Sequence, residues 1–202
     1  MHLLSLVLVS LFFLFTTPAT AERATWNIDS KHSSASFSVR HMMISNVRGN
    51  FDEVTGTVLY DSKNIETAKV DATIKVATIN TRELKRDNHL RGPEFFYVVK
   101  YPTITFKSKI VERLEDGKFK LTGELTIHGV TKEVTLNVDG PTQEITDPHG
   151  NKRIGASATT HLNRKDFGLV WNDLLETGGA MVGDDVKVEL EVELIKQGAP
   201  KS

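Results

Sequence analysis

The stretch VKVELEVEL, residues 186–194, alternates apolar and charged side chains without a break. Its apolar positions are Val186, Val188, Leu190, Val192 and Leu194. A period of two residues is typical of a β-strand with one buried and one wet face, which antiparallel sheets allow. The stretch therefore predicts a long antiparallel strand, and the rest of the chain can be compared with it.

The same alternation recurs along most of the chain. Rows of apolar residues begin at Trp26, Ala35, Val47, Gly56, Val70, Ile104, Phe119, Val134 and Ile154, and the row from Ile104 continues through Phe106 to Ile110. The turns between them are short, as at residues 115–117 and 128–131, whereas HMMIS after Arg40 reads as a single helical turn. No strand–helix–strand spacing is present. We predict an all-β fold, an antiparallel barrel of about eight strands, because closure protects the strand edges. A two-sheet sandwich has the same periodicity and stays open as an alternative.

One stretch interrupts the alternation, namely RELKRDNHLRGPEFFYVVKYP, residues 82–102. It reads as a short polar helix followed by an aromatic cluster, and it carries five basic and three acidic residues. A solvated helix with ordinary i to i+4 ion pairs would explain the charges. The apolar half, Leu90 with residues 95–99, is too large to leave in water. We therefore predict a helical insertion that covers the mouth of the barrel, and we call residues 82–102 the lid.

The first 21 residues contain no Lys, Arg, Asp or Glu and carry an apolar run from Leu3 to Phe15, followed by Ala19, Thr20 and Ala21. This pattern predicts a signal peptide over residues 1–21, and hence a periplasmic or secreted domain over residues 22–202. A retained anchor is the alternative, although the run falls short of the roughly 20 residues that span a bilayer. With 25 basic and 26 acidic residues and no cysteine, the chain has neither disulfides nor the basic surplus of nucleic-acid-binding proteins.

The inward rows mix small and large side chains. The small ones are Ala35, Gly49, Gly56, Ala72, Gly123, Ala156 and Ala158, and the large ones are Phe37, Phe51, Phe106 and Phe119. Such a mixture either packs small against large in a filled core or leaves an elongated apolar cavity. A cavity would bind a lipid tail, since each buried CH2 contributes roughly 0.8 kcal/mol.

No catalytic or metal-binding constellation is evident. The seven histidines are scattered without HExxH, and the glycine-rich loop at residues 177–185 lacks the Lys-Ser/Thr ending of a phosphate-binding loop. The sequence predicts no catalytic residue, no metal and no cofactor, apart from a bound isoprenoid lipid or quinone.

Six motifs closely resemble the YceI-like family of exported lipid-binding proteins. They are WNIDSKHSSASFSVRHM, VRGNF, TRELKRDNHLRGPEFFYVVKYPTITF, LTGELTIHGVTKEVTL, LNRKDFGL and VGDDVKVELEVEL, in this order. The resemblance implies a lipocalin-like antiparallel barrel whose apolar pore takes up a polyisoprenoid or a similar long-chain amphiphile, such as an isoprenoid quinone or a fatty-acid-like lipid. The tryptophan in DFGLVWNDLLETGG and the length of that loop are a local departure from the family pattern and are expected to alter the mouth.

The resemblance also implies the binding residues. Candidates for the tail channel are Phe37, Val39, Met42, Phe51, Leu90, Phe95, Phe96, Phe106, Phe167 and Leu169. Candidates for the head group or rim are Arg40, His41, Arg86, Asp87, His89, Asn163 and Arg164. Arg164 and Asp166 could equally fix the loop that brings Phe167 inward, and Arg40 could face solvent.

The expected function is an exported, non-enzymatic protein that sequesters or carries such a lipid. Two alternatives remain at this stage, an enzyme that acts on a lipid or quinone and a stress-related exported protein with a filled barrel. The expected partner is the lipid and not a nucleic acid, and a homodimer stays open.

Overall fold

The computed structural model describes residues 23–115, 117–173 and 179–198. The predicted signal peptide lies outside these residues, as does Asp116 of the predicted turn at residues 115–117. Within them the chain forms twelve strands and one α-helix. The strands are β1 (Ala24–Ile28), β2 (Ser34–His41), β3 (Ser45–Phe51), β4 (Val54–Tyr60), β5 (Lys69–Lys75), β6 (Ile79–Asn80), β7 (Thr103–Arg113), β8 (Lys118–Ile127), β9 (Val130–Asp139), β10 (Ile145–Thr146), β11 (Lys152–Asn163) and β12 (Val182–Lys196). The helix is α1 (Leu84–Arg91).

The strands close into an antiparallel barrel. Eight of them follow one another around the wall in the order β11-β9-β8-β7-β5-β4-β1-β12, and pairing of β11 with β12 closes the ring. This confirms the predicted all-β barrel of eight strands and rules out an open sandwich. The stretch that predicted it, residues 186–194, lies in β12 and pairs with β11 over its whole length, for example Leu190 with Ala158.

The first strands of the chain share positions in this wall. β12 pairs with β2 from Val182 to Glu191 and with β1 from Leu194 to Lys196. β2 and β1 therefore lie end to end along the same edge of β12. On the next position around the wall, β3 pairs with β2 and β4 pairs with β1. The barrel therefore has two distinct ends: β2, β3 and the start of β12 reach the lid end, and β1 reaches the far end.

The predicted helical turn after Arg40 is wrong. Residues 42–44 form the tip of the hairpin between β2 and β3, and Ile44 N donates to His41 O across it. Met42 and Met43 have φ values of 49° and 61°, which belong to the left-handed region. The chain reverses here within three residues because β2 and β3 must remain paired up to His41 and Ser45.

The predicted inward position of Ile110 is also wrong. The register of β7 against β8 shifts between Ser108 and Ile110. An extra residue in one strand reverses which face every later side chain occupies. Ile110 is therefore exposed, and Val111 is buried in its place.

The lid is the main departure from strand structure. Helix α1 begins after Glu83, whose carboxylate accepts hydrogen bonds from the backbone N–H groups of Lys85 and Arg86. These two bonds lower the pKa of Glu83 and cap the helix. The chain then reverses at Gly92, where Tyr97 N and Phe95 N both donate to Gly92 O. Among the described residues, no helix is long and apolar enough to cross a membrane.

Candidate functional site

A cavity of about 310 Å³ occupies the interior of the barrel. Its lining extends from Val39, Phe95 and Val182 at the lid end to Ile154 and Leu194 toward the far end. A barrel of eight strands is just wide enough to hold one small ligand. The cavity is therefore elongated along the barrel, and the alternative of a filled core does not hold.

The small inward residues have two different roles. Gly49 is covered by the ring of Phe37, since a Cβ there would lie 2.5 Å from Phe37 Cζ. Gly123 is covered by Phe106 in the same way, at 2.6 Å. Packing of small against large thus explains these glycines. The alanines behave differently: Ala35, Ala72, Ala156 and Ala158 all line the cavity, and their short side chains leave its space open.

Aromatic residues of the lid close one end of the cavity. Leu90, Phe95 and Phe96 line it from the lid, and the ring of Phe96 meets that of Phe51 edge to face at 5.8 Å between centroids. Ten of the residues expected at the site line the cavity: Phe37, Val39, Phe51, Leu90, Phe95, Phe96, Phe106, Arg164, Phe167 and Leu169. The far end is closed by Trp26 of β1, which is buried together with Ile154 and Leu194.

Three charged residues of the lid, Arg86, Asp87 and Arg91, do not line the cavity but attach the lid to the wall. Asp87 is buried, and its Oδ1 accepts from Thr81 N at 2.8 Å and from Thr81 Oγ1 at 2.6 Å. Arg86 Nε donates to the same Oγ1 at 2.8 Å, and Arg91 Nη2 donates to Ile79 O at 2.6 Å. Arg86 and Asp87, expected at the head group or rim, therefore do not line the cavity, and these atoms bond Thr81 instead.

His89 links the lid to a second loop. Its Nε2 lies 2.7 Å from a carboxylate oxygen of Glu94, and its ring meets Phe95 and Trp171 edge to face, each at 4.9 Å between centroids. Trp171, the tryptophan expected to alter the mouth, also contacts the ring of Phe95. His89 itself does not line the cavity, so it supports Phe95 from behind instead of facing a ligand.

Arg164 is the sole charged side chain among the described residues that line the cavity. All five of its N–H donors are engaged. Nη1 donates to Leu169 O and Trp171 O, Nε to Gly183 O, and Nη2 to Val182 O and Asp184 Oδ1. Burial lowers the pKa of Arg164, and Asp184 opposes this shift. Arg164 therefore joins residues 169–171 to the start of β12 and holds Leu169 inward, which is the loop-fixing role.

The four remaining candidates lie at the edge of the site. Arg40 is exposed and donates to Met43 O, and Asn163 Oδ1 accepts from Lys165 N. His41 ends β2, opposite Ser45 and Val182. Met42, expected in the tail channel, is exposed because the left-handed turn removes it from the inward row of β2. None of these four lines the cavity.

Several residues that line the cavity away from the lid were not among the expected site residues. Tyr60, Val111, Phe119, Leu121 and Leu136 all line the cavity. Their alternation placed most of them on inward rows, so the signal was present in the sequence. The expected site contained no residue of the motif LTGELTIHGVTKEVTL, which begins at Leu121 and ends at Leu136, and none from outside the six motifs, whereas a cavity of this length uses the inward row of every strand.

A cluster of possible metal ligands lies outside the cavity. Ligand atoms of Asp29, His32 and Glu193 lie within 4.8 Å of one another. Arg153 already neutralises this cluster, since its Nη1 donates to Asp29 Oδ2 at 2.7 Å and also to Glu193, and its Nε donates to Asp147. The hydrogen bond from Arg153, with a smaller contribution from His32, lowers the pKa of Asp29 to about 2. The arrangement is an ion-pair network that joins β1, β11 and β12.

Comparison with known sequences gives one family. The model of the YceI-like domain matches residues 26–194. A UPF0312 protein of Staphylococcus aureus (strain MSSA476) is 38% identical over 168 residues, which are 83% of this chain and 95% of that protein. UPF0312 proteins of other strains, such as N315, match to the same extent.

Solved structures show the same fold. The YCEI protein of Campylobacter jejuni superposes with a TM-score of 0.66 at 34% identity, covering 79% of this chain and 90% of that one. BcnA of Burkholderia cenocepacia gives 0.72 at 22% identity, with 82% and 98% covered. A polyisoprenoid binding domain from Saccharophagus degradans gives 0.63 at 16% identity, with 87% and 100% covered.

Proposed function

The chain belongs to the YceI-like family, and from this premise and the elongated apolar cavity we propose that it binds a polyisoprenoid or a similar long-chain amphiphile, without chemical turnover. The Saccharophagus degradans domain, whose name states polyisoprenoid binding, shares the fold and supports this ligand class. An isoprenoid quinone or a fatty-acid-like lipid is also a long apolar chain with a polar head group. The predicted signal peptide supports a place outside the cytoplasm for this activity.

The composition of the cavity wall carries the proposal. The lining extends from the lid to the neighbourhood of Trp26, and its one charged member among the described residues, Arg164, has no N–H left for a ligand. Such a wall offers a ligand apolar burial and little else. At roughly 0.8 kcal/mol for each buried CH2, a long chain is held tightly without polar contacts. Because a barrel of eight strands leaves room for one small ligand, the cavity favours a flexible chain over a broad ring system.

The ligand enters from the lid end in this proposal. The far end is closed by a residue of a hydrogen-bonded strand, since Trp26 pairs with Val58 on one side and Lys196 on the other. The lid is joined to the wall mainly by side-chain hydrogen bonds. A polar head group therefore remains near the lid, in contact with water or with exposed groups around the mouth.

Native mass spectrometry after purification without detergent tests the proposal directly. We expect a co-purified amphiphile, or uptake of a fluorescent polyprenyl probe by the empty protein. Ala158→Phe fills the cavity from β11 and should reduce probe affinity at least about tenfold, whereas Thr159→Phe places the same ring on the exposed face of the same strand. An empty protein that takes up no probe, or equal loss in both variants, would contradict cavity binding.

A further inference from the structure

Exposed apolar side chains are concentrated on three loops at the lid end. The hairpin tip carries Met43 and Ile44, which are 56% and 78% exposed. The last turn of the lid carries Val99 at 89%, and the loop after residue 167 carries Val170 at 64%. These are large fractions for aliphatic side chains, and together the loops present more apolar surface than isolated exposed residues do. We call Met43, Ile44, Val99 and Val170 the mouth residues.

Direct contacts show that the three loops surround one opening. Met42 N at the hairpin tip donates to Met181 O, and Met181 N donates to Asp173 O in the loop after residue 167. In that loop Trp171 contacts Phe95 of the lid at 5.1 Å between ring centroids. Tyr101 at the end of the lid meets His128 of the β8–β9 turn at 4.5 Å between ring centroids, and His128 lies close to Gly168 of the loop after residue 167. The mouth residues thus lie on the lid and on the two loops beside it, and not along the wall.

The charge around two of these loops has a single sign. Residues 40–48 contain Arg40 and Arg48 and no acidic residue, and residues 97–107 contain Lys100 and Lys107 and none. Arg40 and Lys100 are exposed, and neither forms an ion pair within the described part of the chain. Of the acids at this end, Glu94 pairs with His89, Asp184 with Arg164 and Lys165, and Asp185 with His161. The third loop differs from the other two, because Asp166 and Asp173 lie beside and within it. Cations beside exposed apolar tips therefore face outward at the mouth.

Aliphatic side chains flanked by cations and tyrosines match the interface of an anionic bilayer. The apolar tips enter the boundary between head groups and acyl chains, and the cations remain at the level of the phosphates. Lys100 lies over the ring of Tyr101 at 5.1 Å from its centroid, and Tyr97 meets the same ring at 6.3 Å. Tyrosine is enriched at such interfaces because one end of it is apolar and the other is wet.

We propose that this end of the barrel docks onto the surface of an anionic phospholipid bilayer, with the lid facing the membrane. Docking in this orientation lets an apolar chain pass between bilayer and cavity without crossing water. The proposal goes beyond ligand binding in the cavity and does not depend on the identity of the cargo. A second copy of the chain covering the same apolar surface is the competing occupant.

Vesicle sedimentation of the full chain tests docking, with vesicles of phosphatidylcholine alone or mixed with phosphatidylglycerol and with no cargo added. We expect binding to the anionic vesicles that weakens with salt. The double variant Ile44→Ser/Val99→Ser should lose at least about tenfold in affinity. The control is Leu114→Ser/Ile145→Ser, which makes the same kind of change at two exposed aliphatic residues, 50% and 60% exposed, elsewhere on the molecule. Both variants keep residues 1–22 unchanged, so any contribution of that segment cancels.

The outcomes separate docking from cargo binding. Loss confined to the mouth variant, with polyprenyl-probe uptake retained in both variants, supports docking. Absence of vesicle binding by the unaltered chain, or equal loss in both variants, overturns docking while leaving cavity binding intact. Light scattering that shows a dimer which the mouth variant alone dissociates assigns the surface to a second copy and also overturns docking. Arg40→Gln/Lys100→Gln should remove most of the preference for anionic vesicles, and an unchanged preference would count against the charge argument.

Discussion

The two ends of the barrel are closed by different means. At the far end Trp26 belongs to a strand that is hydrogen-bonded on both sides, and it is buried against Ile154 and Leu194. At the lid end the closing residues Phe95 and Phe96 belong to a segment outside the sheet, which side-chain hydrogen bonds to residues 77–81 attach to the wall. Opening the far end would break a β-ladder, whereas opening the lid end need not.

This difference assigns separate tasks to the two ends. Elements that open first are those with few buried contacts and little regular hydrogen bonding. The far end therefore contributes stability, and the lid end contributes access. The predictions below test this division by changing one end at a time, and they are ordered by the size of the expected effect.

Trp26→Ala should produce the largest loss. It removes a nearly fully buried aromatic ring, which costs about 3–5 kcal/mol of the free energy of unfolding. Urea unfolding measures this loss. Since the lid is untouched, any protein that remains folded should still take up the polyprenyl probe, and it should accept longer chains than the unaltered protein does. A loss below about 1 kcal/mol would show that Trp26 is not the structural plug of the far end.

Arg153→Met tests the ion-pair network of the far end and gives a pH dependence. The pKa of Asp29 is lowered from its ordinary value to about 2 by Arg153, so this interaction stabilises the fold above about pH 4 and is lost as the pH falls toward 2. The unaltered protein should lose stability over that interval. The variant should be less stable near neutral pH. Its free energy of unfolding, measured by chemical denaturation at a series of pH values, should also fall less over that interval. If the free energy of unfolding of the two proteins fell equally over that interval, the assignment of the pH dependence to the Arg153–Asp29 interaction would be contradicted.

Substitutions at Asp87 distinguish attachment of the lid from contact with a head group. Asp87→Ala leaves two buried donors of Thr81 without an acceptor, which costs about 1–3 kcal/mol, and it should loosen the lid. Asp87→Asn keeps an oxygen for both donors and should cost less than about 1 kcal/mol. Hydrogen exchange of residues 84–91 and probe affinity measure the two effects. If Asn impaired binding as strongly as Ala did, the negative charge itself would be acting on the ligand.

The fold was predictable because alternation is a local signal that a barrel repeats on every strand. Ala35, Phe37 and Val39 share a parity in the sequence, and all three line the cavity. Ile110 departs from this rule because a bulge adds one residue without any mark in the sequence. The turn at Met42 and Met43 was unpredictable for a related reason. Methionine is an uncommon residue for positive φ, and only the pairing of β2 with β3 imposes it.

The site was predictable in its apolar part and not in its polar part. Leu90, Phe95 and Phe96 had to be buried somewhere, and the mouth of the barrel was the nearest apolar surface. For Arg86, Asp87 and Arg164 the charge is evident from the residue type, but the partner of that charge is not. Their partners are mostly backbone atoms such as Thr81 O, Leu169 O and Gly183 O. Every residue has such atoms, so no pattern of side chains could identify them.

The smallest predicted effect separates lid stability from lid motion. Glu94→Gln removes the charge that faces His89 Nε2 in a largely exposed pair, and such pairs contribute about 0–1 kcal/mol, so the free energy of unfolding should change little. His89 nevertheless braces Phe95 and Trp171, the two rings through which the lid meets its neighbouring loop. We therefore expect faster release of the polyprenyl probe, measured by stopped-flow fluorescence. Lys75→Gln removes one partner of another exposed pair, that with Glu53, and is the matched control, with no change in release. Equal release rates in both variants would mean that the lid does not control access, and the contrast between the two ends would then rest on stability alone.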